Sequence, residues 1–129
     1  MKKDIEFPKV ENVYLTVVKD GEMWKVYILN RNECSLDNLM ITSKGYGDKN
    51  GKQQRTSILR HMIPVLKSGE YALIEPIDPQ VFHLNNEYWV SFFIDNKLYD
   101  KKYIFVPDSI VDDHLIPIQE LGLKGVLHQ

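Results

Sequence analysis

Residues 87–106 read EYWVSFFIDNKLYDKKYIFV, and this stretch decides the fold. Two runs dense in aromatic and β-branched side chains, Glu87 to Ile94 and Leu98 to Val106, flank Asp95-Asn96-Lys97. Such runs favour extended backbone. Asp and Asn both accept the positive φ that a tight hairpin turn demands. The first run is apolar at nearly every position, which suits a central strand covered on both faces. The second alternates, with Lys101 and Lys102 bracketed by Tyr99, Tyr103 and Phe105, and Pro107 closes it by removing a ladder donor.

The same grammar extends upstream. Val13 to Val18 and Met23 to Asn30 are joined through Asp20-Gly21, a strong short-range hairpin signal. Leu36 to Ser43 forms a further run, Thr56 to Ile63 another that stops at Pro64, and Tyr71 to Ile77 follows the turn Lys67-Ser68-Gly69-Glu70. Helical signal is thin: Asp108-Ser109 could cap a short helix through Asp112-Asp113. Leu115 to Gln129, with Gly122 and Gly125, reads as irregular with room for one short strand. About seven short strands without periodic helices between them imply an all-β chain. The expected architecture is one antiparallel sandwich domain over residues 1–129, with 1–10 and 107–129 less regular. The late hairpin is expected at its centre and the C-terminal segment along one edge.

Composition agrees with an ordinary folded protein. The 129 residues are 43% apolar and 26% charged, with net charge −2. Cys34 is the sole cysteine, which excludes an internal disulfide and a cysteine-built zinc site. MKKDIEFPKVEN has no apolar stretch after its lysines and does not read as a secretory leader, so a cytoplasmic protein without a membrane association is expected. No cofactor is expected.

Charge is concentrated in Ser43 to His61, SKGYGDKNGKQQRTSILRH, where five basic residues face one acid. A phosphate-binding P-loop needs glycines five positions apart, then Lys and a hydroxyl residue before a helix. Here Gly45 and Gly51 are six apart, Gly47 and Gly51 four apart, and Lys52 precedes Gln53. The segment reads instead as a long hairpin turned at Asp48-Lys49-Asn50-Gly51, with arms Leu39 to Gly47 and Lys52 to Ile63. Lys44, Tyr46, Lys49, Lys52, Arg55 and Arg60 make it a candidate contact patch for an anionic surface. The acidic stretch Asp108, Asp112, Asp113 and Glu120 would lie on another face or beside this loop.

Other chemistry is weakly signalled. His61, His83, His114 and His128 show no metal-ligand spacing, and no nucleophile-elbow pattern occurs. An enzyme would need His61 or His83 gathered with carboxylates in a pocket. Trp24, Tyr88, Trp89 and Phe92 are expected in the core, with a ligand-stacking surface as the alternative. Tyr88 is placed to act as a tyrosine corner, its hydroxyl tied to nearby backbone.

Two resemblances follow from quoted motifs. VYILN, LDNLMIT and LKSGE resemble the middle of immunoglobulin-like sandwich modules of bacterial proteins, which run strand–Asn–turn, then a Leu-x-Asn strand, then a Leu-x-x-Gly-Glu turn. SKGYGDKNGK, TSILRH, IEPIDPQVFHLNNEYWVSFFI, DKKYIFVPDSI and KGVLH resemble a family of small uncharacterised proteins of the Bacteroidetes group. Some of its members carry the label phenylalanyl-tRNA synthetase alpha subunit. That label implies a class II core far longer than 129 residues and an arginine-bearing ATP motif, which this sequence lacks. Together these readings imply a non-enzymatic interaction module with a protein partner. The alternative is an RNA- or nucleotide-associated accessory module using the 43–61 hairpin. The chain is expected as a monomer or as a homodimer paired through an edge strand at Thr56–Ile63.

Overall fold

A computed structural model describes residues 9–129, so most of the expected irregular N-terminal segment lies outside the described residues. The chain is an all-β sandwich of two antiparallel sheets, with ten strands among the described residues rather than about seven. The strands are β1 (Val13–Asp20), β2 (Met23–Asn30), β3 (Leu36–Lys49), β4 (Lys52–Arg55), β5 (Leu59–Leu66), β6 (Tyr71–Ile77), β7 (Asn85–Ile94), β8 (Lys97–Phe105), β9 (Ile116–Ile118) and β10 (Leu123–His128). The first sheet has the order β6-β2-β1-β10-β9. In the second, β7 lies between β3 and β8, while β4 and β5 share the other side of the long β3. No helix among the described residues is long and apolar enough to cross a membrane.

Turn chemistry sets the hairpins. Asp95 and Asn96 take φ of 48° and 63°, pairing Ile94 with Lys97. Asn50 and Gly51 do the same at 53° and 79°, pairing Lys49 with Lys52. Positive φ at both central residues gives the backbone twist that matches right-twisted strands.

Alternation then builds the core. Val13, Leu15 and Val17 of β1 and Trp24, Val26 and Ile28 of β2 face Leu39, Ile41, Tyr88, Val90, Phe92, Tyr103 and Phe105 across the sandwich. The buried tyrosines also tie the sheets with hydrogen bonds. Tyr103 Oη donates to the Val13 carbonyl at 2.6 Å, and Tyr88 Oη to Glu75 Oε2 at 3.2 Å. The tyrosine bonded to backbone is thus Tyr103, opposite Tyr88 on the neighbouring strand; Tyr88 binds a side chain and is no tyrosine corner.

Asn30 closes β2 and joins the two halves of the sandwich-like sequence motif. Its side chain is buried, and Nδ2 donates to the carbonyls of Cys34, Leu66 and Lys67 at 2.9, 3.0 and 3.1 Å. Its Oδ1 accepts from the Asn32 amide at 3.0 Å. Gly69, with φ of 76°, donates its amide to the Asn30 carbonyl, and the Asn30 amide donates to the Glu70 carbonyl.

The chain departs from expectation mainly at its edges and its end. β5 runs through Pro64 to Leu66, because an edge strand can spare an amide donor. The late hairpin is only half central, since β7 is interior and β8 is an edge. Asp108 has φ of 60° and starts no helix; a single 3₁₀ turn spans Asp112–His114. The C-terminal segment is regular: β9 is the edge, and β10 is an interior strand paired with β1 from Leu15↔His128 to Lys19↔Lys124. Gly125 marks close approach there. A Cβ on it would lie 2.4 Å from Thr16 Oγ1 and 2.8 Å from Val18 Cγ1, both on short, stiff side chains.

Two substitutions test this account by urea unfolding. Asn30→Ala leaves buried carbonyls without donors and is expected to cost about 3 kcal/mol. Gly125→Ala should cost about 2 kcal/mol through overpacking, whereas Gly51→Ser, at an open tip, should cost less than either.

Candidate functional site

The outer face of the second sheet carries the concentration of exposed chemistry. Alternation in β7 sends Tyr88, Val90 and Phe92 inward, each at most 2% exposed, and Glu87, Trp89, Ser91 and Phe93 outward. Trp89 is therefore surface, at 45% exposed, and not core as its strand context suggested; Trp24, Tyr88 and Phe92 are core. Its indole N–H donates to the Asp100 carboxylate, and Lys102 Nζ lies 4.7 Å from the ring centroid. Both partners come from β8, so the ring is held in place by its neighbouring strand. Register puts Thr42, Arg60 and Lys102 in line with Trp89. Met40, Met62, Phe93 and Leu98 continue the exposed apolar surface away from the hairpin tip.

Towards the tip the face becomes polar and concave. A groove of about 610 Å³ is lined by Lys44, Tyr46, Gln53, Arg55, Asn85 and Glu87, among others. Glu87 is nearly buried at its rim, accepting from Tyr46 Oη at 3.2 Å, with Lys44 Nζ 3.6 Å away. Burial, and then the Glu87 carboxylate, raise the Tyr46 phenol above its ordinary range. Among the described residues Arg55 and Arg60 form no ion pair.

The sequence-derived patch is thereby divided. Lys44, Tyr46, Arg55 and Arg60 share the outer face, whereas Lys49 and Lys52 pair across the turn on the reverse side. Gly45 and Gly47 sit where a side chain would crowd Thr56 and Leu84, and Gly51 serves the turn. A Cβ on Gly45 would lie 2.9 Å from Thr56 Cγ2, and Gly45 N donates to Thr56 Oγ1 at 2.6 Å. Thr56 also donates its amide to the Gly45 carbonyl, closing the kink where β4 gives way to β5.

A second polar cluster lies between the sheets, and sequence reasoning missed it. A β-bulge opposite Val26 and Tyr27 turns Glu75 inward next to Ile74. Ser43 Oγ donates to Glu75 Oε1 at 2.7 Å, and His61 Nε2 lies 2.8 Å from the same oxygen. Nucleophilic catalysis would need the hydroxyl bonded to the imidazole so that the ring could take its proton. Here hydroxyl and imidazole both meet the carboxylate, and the cavity beside them is only about 180 Å³. The cluster acts as a clip between sheets. Its only trace in the sequence is a carboxylate directly after Ile74 in a β run, a position that alternation counted from Ala72 and Ile74 assigns to solvent.

Elsewhere, His83 Nε2 lies 2.6 Å from Gln54 Oε1, supporting the groove wall. The acidic C-terminal residues meet the first sheet and not the basic hairpin: Asp112 pairs with Lys19 at 3.3 Å and Glu120 with Arg31 at 2.8 Å. Cys34 is exposed. No group of three or more His, Cys, Asp or Glu side chains among the described residues is placed to hold a metal ion. Set against protein-family models, curated proteins and solved structures, the chain matches none of them. Fold and site together define a two-sheet β-sandwich with an exposed aromatic and basic sheet face.

The tyrosine ties predict an alkaline transition. Burial and then the Glu75 carboxylate push the Tyr88 phenol far above the ordinary 10.0, and burial does the same for Tyr103. A pKa raised by folding gives stability that is present below pH 10 and lost as pH rises past it. In a spectroscopic titration, Tyr88 and Tyr103 should ionise only together with the loss of β-sheet circular dichroism. Complete tyrosine ionisation in a still-folded chain would contradict this assignment.

Proposed function

We propose that this chain is an immunoglobulin-like, non-enzymatic interaction module that binds a protein partner through the outer face of its second sheet. The observation that carries the reading is Trp89. It is a large aromatic side chain held half-exposed on an interior strand whose opposite face, Tyr88, Val90 and Phe92, is buried. Exposed Met40, Met62, Phe93 and Leu98 share its face, Lys102 lies beside it and Arg60 beyond Thr42. Trp, Tyr, Met, Phe and Arg are the residues enriched at protein interfaces, with Trp, Tyr and Arg dominating their energetics. An apolar centre with a charged border fits a docking surface.

The immunoglobulin-like reading draws support from the Asn30 motif, whose Leu66 and Gly69-Glu70 half packs against the strand–Asn–turn half. A single exposed cysteine suits the reducing cytoplasm. The serine and imidazole of the Glu75 cluster, both directed at one carboxylate, favour a structural role over catalysis.

A second reading, binding of RNA or a nucleotide, draws on the groove that brings Lys44, Tyr46 and Arg55 together. Against it, the Trp89 ring has Lys102 over it, which leaves less of the ring open for base stacking.

Capture from native cell extract, with mass spectrometry of protein and RNA, tests both readings. Trp89→Ala and Met62→Asp should each weaken recovery of the bound protein by about 30-fold or more while the thermal midpoint changes little. Recovery of RNA instead, with affinity falling steeply as salt rises and lost in Lys44→Glu/Arg55→Glu, would replace the first reading with the second.

A further inference from the structure

We propose that the free edge of β8 receives an extended acidic segment of the partner as an added β-strand. This inference rests on the reading of the chain as a protein-binding module and specifies the backbone through which it binds. The sandwich has several strand edges, and they are treated differently. β5, β6 and β9 carry Pro64, Pro76 and Pro117, and β4 is only four residues long. Proline removes an amide donor and a short edge offers few, so each of these edges resists pairing.

The β8 edge has no such interruption. It spans nine residues without a proline, and its register with β7 is continuous from Asn86↔Phe105 to Ile94↔Lys97. Among the described residues no strand pairs with its outer side. A regular strand without a bulge presents an even row of backbone donors and acceptors, which is what strand addition requires.

Charge identifies the occupant. β8 carries Lys97, Lys101 and Lys102 against Asp100, and Asp100 is already engaged by the Trp89 indole. Opposite charges on adjacent strands attract and like charges repel. A second copy laid antiparallel along the full strand would match Asp100 with Lys102 but set Lys101 against Lys101 and Lys97 against Phe105, so it meets only part of the charge on this edge. A segment with acidic residues at alternate positions is favoured. The edge is also continuous with the docking face, because Leu98 and Lys102 belong to both.

The probe is a synthetic peptide of β8's length, alternating glutamate and valine and blocked at both ends, titrated into the isotope-labelled protein. Two further peptides carry N-methyl groups on one or the other alternate set of amides. Binding should slow exchange of β8 amides, survive one N-methylation pattern and fail with the other. It should weaken by about tenfold or more in Lys97→Glu/Lys101→Glu, and also in the single variant Lys97→Glu, which changes only an exposed side chain. Equal binding of both N-methylated peptides would overturn the inference, as would no binding at millimolar peptide. Oligouridylate binding lost in the same lysine variant without peptide binding would also overturn it, in favour of nucleic acid. Full recovery of the natural partner by the lysine variant, with loss in Trp89→Ala, would refute strand addition and leave the docking face standing.

Discussion

The buried amide of Asn30 is the interaction on which the sandwich depends. Where the chain leaves the first sheet for the second, and again where it returns from β5 to β6, backbone carbonyls must turn away from any ladder. Buried and unpaired, each would cost a substantial fraction of the protein's net stability. One side chain meets the carbonyls of Cys34, Leu66 and Lys67 together and also accepts the Asn32 amide. Asparagine alone among small side chains offers two donors and an acceptor in one plane. Aspartate could accept but not donate, and would bring a charge into the interior. Two of the four inter-sheet crossings among the described residues are thereby anchored at one point, and Leu36 and Leu66 can enter the core on either side of it.

From that anchor the exposed face follows by parity. Fixing the start of β3 at Leu36 directs Leu39, Ile41 and Ser43 inward after the bulge near Asn38. Lys44 and Tyr46 then point out, and the β7 register brings Glu87 and Trp89 alongside. A one-residue slip would bury Trp89 and expose Tyr88 and Val90. The position of the exposed Trp89 face and the integrity of the core are therefore the same constraint, expressed on opposite sides of one sheet. The Glu75 clip adds to it, because a carboxylate held by Ser43 and Tyr88 marks the β3–β7 pair against β6.

Much of this was legible in the residues. Asp95-Asn96 and Asn50-Gly51 specify their turns through tolerance of positive φ, and the hairpins follow. Trp89 was not legible as surface, because an apolar run covered on one face reads like one covered on both until its neighbours are known. Glu75 was hidden by a bulge, which breaks the period-2 rule without a residue signature of its own. Pro64 read as a terminator because the sequence does not announce which strands are edges, and only an interior strand is stopped by a lost donor. Gly125 read as looseness although it serves tight packing. Of the basic patch, the charge was visible but its division between two faces was not, since that depends on which residues pair across the tip.

The place of β10 has a kinetic consequence. It is the last described strand in chain order, yet it lies between β1, the first, and β9. Until residues 123–128 have emerged from the ribosome, β1 has no partner on that side, and the ladder from Leu15 to Lys19 stays open. Pairing the two ends of a chain carries a large loop-closure entropy and slows folding relative to local hairpins. During synthesis the second sheet can therefore assemble from its own hairpins before the first is complete. The nascent chain passes through a stage in which one half of the sandwich waits for the other.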